Sequence, residues 1–160
     1  MKKQKGFSLI ELLIVVAIIL IIAAIAIPNL LKARISANES SAVGSIRTLT
    51  TASIQYAAQC PTSGFPLALT NLGPGAGDCT NAGIIDDVLT TGVKSGYGFT
   101  YTAGAADGAG AIDTYTILAL PLSVSVTGQR AFCSIQDGVI HYNEQGAACD
   151  PSIGGDPTLE

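Results

Sequence analysis

Residues 7–27, FSLIELLIVVAIILIIAAIAI, form an apolar run of 21 residues behind a short basic leader, MKKQKG, which carries Lys2, Lys3 and Lys5. At 1.5 Å per residue a helix of that length is about 32 Å long, enough to span the hydrocarbon core of a bilayer. An excess of lysine beside a span marks its cytoplasmic side. Lys32 and Arg34 follow the run and weaken that asymmetry without reversing it.

An ordinary secretory signal is cut after its hydrophobic stretch, at a small-residue position, and the apolar part is lost. No A-x-A-like site precedes Pro28 here. Instead Lys5-Gly6-Phe7-Ser8-Leu9-Ile10-Glu11 stands ahead of the apolar run and resembles the class III processing site of type IV pilins and of the related pseudopilins of type II secretion. The resemblance covers residues 1 to about 35. It implies cleavage after Gly6 by a prepilin peptidase on the cytoplasmic side, with N-methylation of the new amine on Phe7. The hydrophobic segment then stays on the mature protein.

Glu11 is the residue of interest within the span. A carboxylate at the centre of a bilayer costs roughly 2.5 to 3.5 kcal/mol on insertion scales, less near an interface, so its presence points to a function. Read blandly, it is a solvated residue at the membrane edge. After cleavage, though, the Phe7 amine is a positive charge four residues earlier on the same helix face. Glu11 can pair with that amine or, as the resemblance implies, with the amine of a neighbouring subunit.

Pro28 lacks an N–H and removes the helical bond to the carbonyl of Ala24, which normally kinks or ends a helix. The sequence therefore leaves two arrangements open: one long helix, or two helices broken at Pro28. Beyond it, residues 28–58 carry Ile35, Ala42, Ile46, Leu49 and Tyr56 at helical spacing, flanked by Val43 and Ile54. Gly44 and the Ser/Thr content lower the intrinsic propensity, so this amphipathic helix relies on packing.

From Cys60 the composition turns to Gly, Pro, Asn, Asp and Thr, and residues 59–96 read as a loop with one short helical turn at 84–90. Tyr97-Gly-Phe-Thr-Tyr-Thr alternates aromatics on one face, the period of a half-buried strand. A second strand, 114–120, stops at Pro121. Residues 130–136 and 139–142 flank Asp137-Gly138, read as a two-residue hairpin turn. The fold class is α+β: a long N-terminal helix, its first half (7–27) a membrane and assembly segment, its second half packed on a small antiparallel sheet over 97–143, with a C-terminal tail. Lys94-Ser-Gly-Tyr-Gly-Phe-Thr-Tyr, Tyr115-Thr-Ile-Leu-Ala-Leu-Pro, Gly128-Gln-Arg-Ala-Phe-Cys and Gly138-Val-Ile-His-Tyr together look like the head of small bacterial pilin-like proteins.

Four cysteines in an exported head read as two disulfides. Of three connectivities, Cys60 with Cys79 and Cys133 with Cys149 is preferred, because each closes a local loop bordering an expected element. A zinc site finds no C-x-x-C and a single histidine, His141, which reads as a sheet-surface residue. The acids Asp78, Asp86, Asp87, Asp107, Asp113, Asp150 and Asp156 show no EF-hand spacing, so no metal or cofactor is expected. No nucleophile elbow, P-loop or zinc-protease motif is present, and the chain reads as a non-enzyme. Asn38-Glu39-Ser40 matches a glycosylation sequon, a pattern too common to weigh. The aromatics Tyr97, Phe99, Tyr101, Tyr115 and Phe132 read as core rather than as an electron path.

Loss of six leader residues leaves 154 of 160, enough for one domain and a helix, and takes three of eight basic side chains. The balance moves from −4 to −7, five cations (Lys32, Arg34, Arg47, Lys94, Arg130) against 12 acids. Such a surface is a poor partner for nucleic acid. The expectation is a precursor held in the inner membrane with a periplasmic head and delivered by an inner-membrane assembly platform. It becomes a homopolymer through its N-terminal helices, an extracellular filament serving adhesion or motility. A type II secretion pseudopilin shares the N-terminal argument. A membrane-tethered periplasmic binding module is the reading from another class, and it has no use for the leader or for Glu11.

Overall fold

The computed structural model describes residues 8–147, 149 and 157–159. Gly6 and Phe7 lie outside the described residues, as do Asp150 and Asp156 of the tail. Among the described residues three helices and five strands follow in order: α1 (Leu9–Gln59), α2 (Leu69–Leu72), α3 (Asp87–Thr90), β1 (Val93–Lys94), β2 (Tyr97–Ala103), β3 (Tyr115–Pro121), β4 (Ala131–Ile135) and β5 (Ile140–Asn143). The chain divides into two compact units, residues 1–34 and 35–160.

In the first unit the helix carries Leu12, Ile14, Val16, Ile19, Ile22 and Ile25 as exposed side chains. Pro28 lies inside α1, so the two-helix arrangement is not what forms. The proline removes one ladder bond, and the helix continues across it.

In the second unit the sheet has the order β1-β2-β3-β4-β5, antiparallel throughout, with Tyr97 opposite Pro121 and Leu118 opposite Cys133. Burial alternates along β3, where Tyr115, Ile117, Ala119 and Pro121 face inward. Tyr115, Ile117 and Ala119 join Tyr97, Phe99, Phe132 and Ile140 in one core with Ala42, Ile46, Leu49 and Tyr56 of α1. Of the aromatics named from the sequence, Tyr97, Phe99, Tyr115 and Phe132 are core residues, and Tyr101 packs against them half-buried. Ile54, expected on the apolar flank, is exposed instead. It stands about 200° around the helix from Ala52, which faces inward.

Two turns differ from expectation. Asp137-Gly138 is not a two-residue hairpin turn: the N–H of Gly138 donates to Ile135 O at 3.0 Å, which makes Gln136 and Asp137 the central residues. Only Gly138, at φ +75°, is left-handed. Asp137 instead accepts the Val139 N–H at 2.8 Å, which holds its side chain over the turn. The two-residue turn with both central residues at positive φ is Ser95-Gly96, φ 50° and 75°, between the paired Lys94 and Tyr97. It creates β1 within the stretch read as loop. The same stretch holds the single turn α2, and α3 starts at Asp87 because Asp86 caps it, accepting the Leu89 N–H at 2.7 Å.

Candidate functional site

Within the first unit, the chemistry sits in the first turn of α1. Ser8 immediately precedes the helix and Glu11 is its third residue, the spacing at which a carboxylate reaches back to the chain's entry point. The Ser8 backbone N–H donates to Glu11 Oε2 at 2.9 Å. A negative charge there also complements the positive end of the helix dipole. Glu11 thus satisfies a backbone donor in a single chain, a use the sequence reading did not consider. Its expected partner, the Phe7 amine, lies outside the described residues. From Leu9 to Ile27 the helix is long and apolar enough to cross a membrane, and Glu11 is its one charge.

Within the second unit, the polar centre is Glu39 on α1. Its relative exposure is 7 %, and every oxygen is used. Oε1 accepts the backbone N–H groups of Gln129 and Arg130, at 2.9 and 3.0 Å. Oε2 accepts Nε and Nη2 of Arg130, at 2.9 and 2.8 Å. Burial works to raise the Glu39 pKa, but the Gln129 N–H, the guanidinium and the Arg130 N–H together outweigh it and hold the carboxyl below its ordinary value. The guanidinium also lies 5.5 and 5.4 Å from the ring centres of Phe132 and Tyr142. Beside it, Asn38 donates its side-chain N–H to Thr127 O at 2.8 Å, so the amide of the sequon is in structural use.

Glu39 carries no motif, and Arg130 stands 91 residues away. The one signal was position: Glu39 falls three residues before Ala42 and seven before Ile46, on the stripe that turns inward.

The disulfides join Cys60 to Cys79 and Cys133 to Cys149, each with Cα atoms 5.9 Å apart. The first ties the end of α1 to the following loop, where Tyr56 also donates its hydroxyl to Cys79 O at 2.6 Å. The second ties β4 to the chain beyond β5. Residues 157–159 return along β5, with Tyr142 N–H donating to Pro157 O and Leu159 N–H to Ile140 O. Among the described residues no three metal-ligating side chains gather. Asp78 accepts the N–H groups of Asn81 and Thr80, and Asp107 those of Ala111 and Ala109; these bonds hold both carboxyls below their ordinary values and brace exposed turns.

The family described as "Prokaryotic N-terminal methylation motif" matches residues 1–27. A type IV wide pilus major component of Thermus thermophilus is 65 % identical over 40 residues, 25 % of this chain and 30 % of that protein. A type IV major pilin of Myxococcus xanthus is 52 % identical over 50 residues, 31 % and 23 % of the two chains. A fimbrial protein of Pseudomonas aeruginosa is 54 % identical over 52 residues, 32 % and 34 %. The matched stretches thus span about a third or less of each relative. No solved structure matches.

Proposed function

We propose that this chain, whose N-terminal segment is of the type IV prepilin kind, is a structural subunit of a type IV pilus-like surface filament. The observation that carries the reading is an exposed apolar helix segment bearing one carboxylate in its first turn, lying within the residues that match an N-terminal methylation motif. A segment meant only as a signal is discarded. One kept by cleavage at its front edge needs an apolar environment at every stage.

In this reading a prepilin peptidase cuts after Gly6 and the Phe7 amine is methylated, with the precursor resting in the inner membrane and its head in the periplasm. An assembly platform then gathers the N-terminal helices into a fibre core. Helix–lipid contacts become helix–helix contacts there, so little apolar burial is lost in leaving the membrane. Glu11 exchanges the Ser8 N–H for the Phe7 amine of the neighbouring subunit, a stronger, charge-assisted partner in a dry site. The paired disulfides and the Glu39–Arg130 anchor suit a head that must survive outside the cell.

The test is electron microscopy of cells with and without the gene, with peptide identification of sheared fibres. Fibres containing this chain, absent from the deletion strain, are expected. Unchanged fibres in the deletion strain, with loss of a secreted enzyme instead, would assign the chain to a type II secretion pseudopilus.

A further inference from the structure

Beside the Glu39 anchor the second unit carries a cavity of about 320 Å³. Glu39, Val43, Gly44 and Arg47 line it from α1, Arg130 from the position before β4, and Leu159 from the chain that returns along β5. Glu39, Val43 and Arg47 follow one another at intervals of four, which puts them on one helix face. Arg47 is exposed there, and Arg130 is half-buried. Removal of the leader leaves five basic side chains against 12 acids, and two of the five border this one cavity.

Glu39 cancels only one of those two charges. Both its oxygens are already held, by Nε and Nη2 of Arg130 and by the backbone N–H groups of Gln129 and Arg130, so it has little left to offer a cation. The cavity therefore presents one net positive charge. A guanidinium carries five N–H donors in a planar fork that matches a carboxylate, and the pair with Glu39 leaves Nη1 of Arg130 and the whole of Arg47 outside it. At Gly44 a Cβ would meet no atom within 4 Å, so the missing side chain is space rather than a close approach. Glycine is a poor helix former, and the room it leaves is kept against the preference of the helix.

We propose that this cavity receives a side-chain carboxylate of a second copy of the chain, held by Arg47 and Arg130, when copies pack side by side in the filament. The inference rests on the filament reading above and names a contact within it. Subunits with 12 acids against five cations repel one another unless the acids of one meet the cations of the next. Asp87, Asp113, Asp137 and Glu144 are exposed and can supply the acid. A polyanion such as nucleic acid would instead meet the negative charge of the whole chain.

The test uses fibres sheared from cells expressing the full chain, with cleavage and membrane level checked by immunoblot. Arg47→Glu is expected to lower fibre yield about tenfold or more, whereas Arg47→Lys keeps the charge and the fibres. Gly44→Gln leaves both guanidiniums in place and suits a helix, and it is expected to lower the yield by occupying the room. The contact itself is read from Arg47→Lys fibres treated with a carbodiimide, which joins an amine to a carboxylate paired with it. Dimers on a denaturing gel, with position 47 linked by peptide mass spectrometry to an acid of the second copy, are expected. A link at position 47 confined to monomers, or none, would overturn the proposal, because the cavity then holds an acid of its own chain or no acid at all. Wild-type yield from Arg47→Glu or Gly44→Gln would overturn it too, as would equal fibre loss from Arg47→Glu and Arg47→Lys. Absence of fibres from wild-type cells would refute the filament reading itself, whereas wild-type fibres without the link would refute only this contact.

Discussion

Replacing Glu39 by Ala deletes the acceptor for four hydrogen bonds at once. Two of the donors are backbone N–H groups, Gln129 and Arg130, which no rotamer change relocates. Leaving them without a partner costs about 1 kcal/mol each, the low end for a buried donor. The Arg130 side chain is 38 % exposed, so water screens the lost ion pair and only about 1 kcal/mol more is assigned to it. The total is about 3 kcal/mol. The unit from Ile35 to Glu160 has 126 residues, and at about 2.1 cal/mol/K per residue its unfolding entropy is about 0.26 kcal/mol/K, so the midpoint should fall by about 11 °C. Glu39→Gln keeps the shape and one acceptor oxygen and should fall by about half as much. The Glu39 pKa is lower in the folded chain than its ordinary value of 4.5. Its contribution is therefore complete above pH 4.5 and lost as the pH drops through the folded value. The gap between wild type and Glu39→Gln should narrow on acidification below pH 4.5. A Glu39→Ala midpoint within about 3 °C of wild type at pH 7 would show that the anchor is decorative.

Gly6→Val should leave the precursor uncut, because the peptidase would have to accept a β-branched side chain at the scissile bond; an immunoblot showing normal processing would count against cleavage at that site. Cys133→Ser with Cys149→Ser should lower the thermal midpoint by an amount corresponding to about 3 kcal/mol, the chain-entropy value for a loop of 16 residues. A change under about 2 °C would mean the unfolded chain is not constrained by that bond. Burial raises the phenols of Tyr56, Tyr97, Tyr101 and Tyr115 above their ordinary value of 10.0. Their stabilisation is present below pH 10 and lost as the pH rises beyond it. Phenolate absorbance from these four should appear together with unfolding, whereas ionisation at pH 10 in a still-folded head would refute their burial.

The long helix and four of the five strands, β2 to β5, were legible: residues 7–27 are apolar but for Ser8 and Glu11, 42–56 keep a period of 3.6, and Tyr97, Phe99 and Tyr101 alternate along one strand. Local chemistry was less legible. Asp137-Gly138 was read as the two-residue hairpin turn, yet Ser95-Gly96, within the stretch read as loop, adopts that geometry, because the pairing of Lys94 with Tyr97 leaves two residues to close it. The β4–β5 connection has room for a wider turn, in which Asp137 keeps ordinary backbone angles. Glu39 was hidden for a different reason. A charged residue on an apolar stripe reads as a solvated neighbour until a partner is known, and Arg130 arrives only through tertiary folding.

The claim that this chain polymerises through its N-terminal helix rests most directly on Glu11. Glu11→Ala removes the acceptor of the Ser8 N–H, a modest local loss, and takes a charge out of the span, which eases membrane insertion. If the carboxylate pairs with the Phe7 amine of a neighbour, the variant leaves an unpaired amine among apolar helices at every junction. The measurement is the yield of sheared surface fibres from cells expressing the variant, with cleavage and membrane level confirmed by immunoblot. The account predicts a precursor inserted and cut as in wild type, with fibres scarce or absent. Normal fibre yield from Glu11→Ala would contradict it.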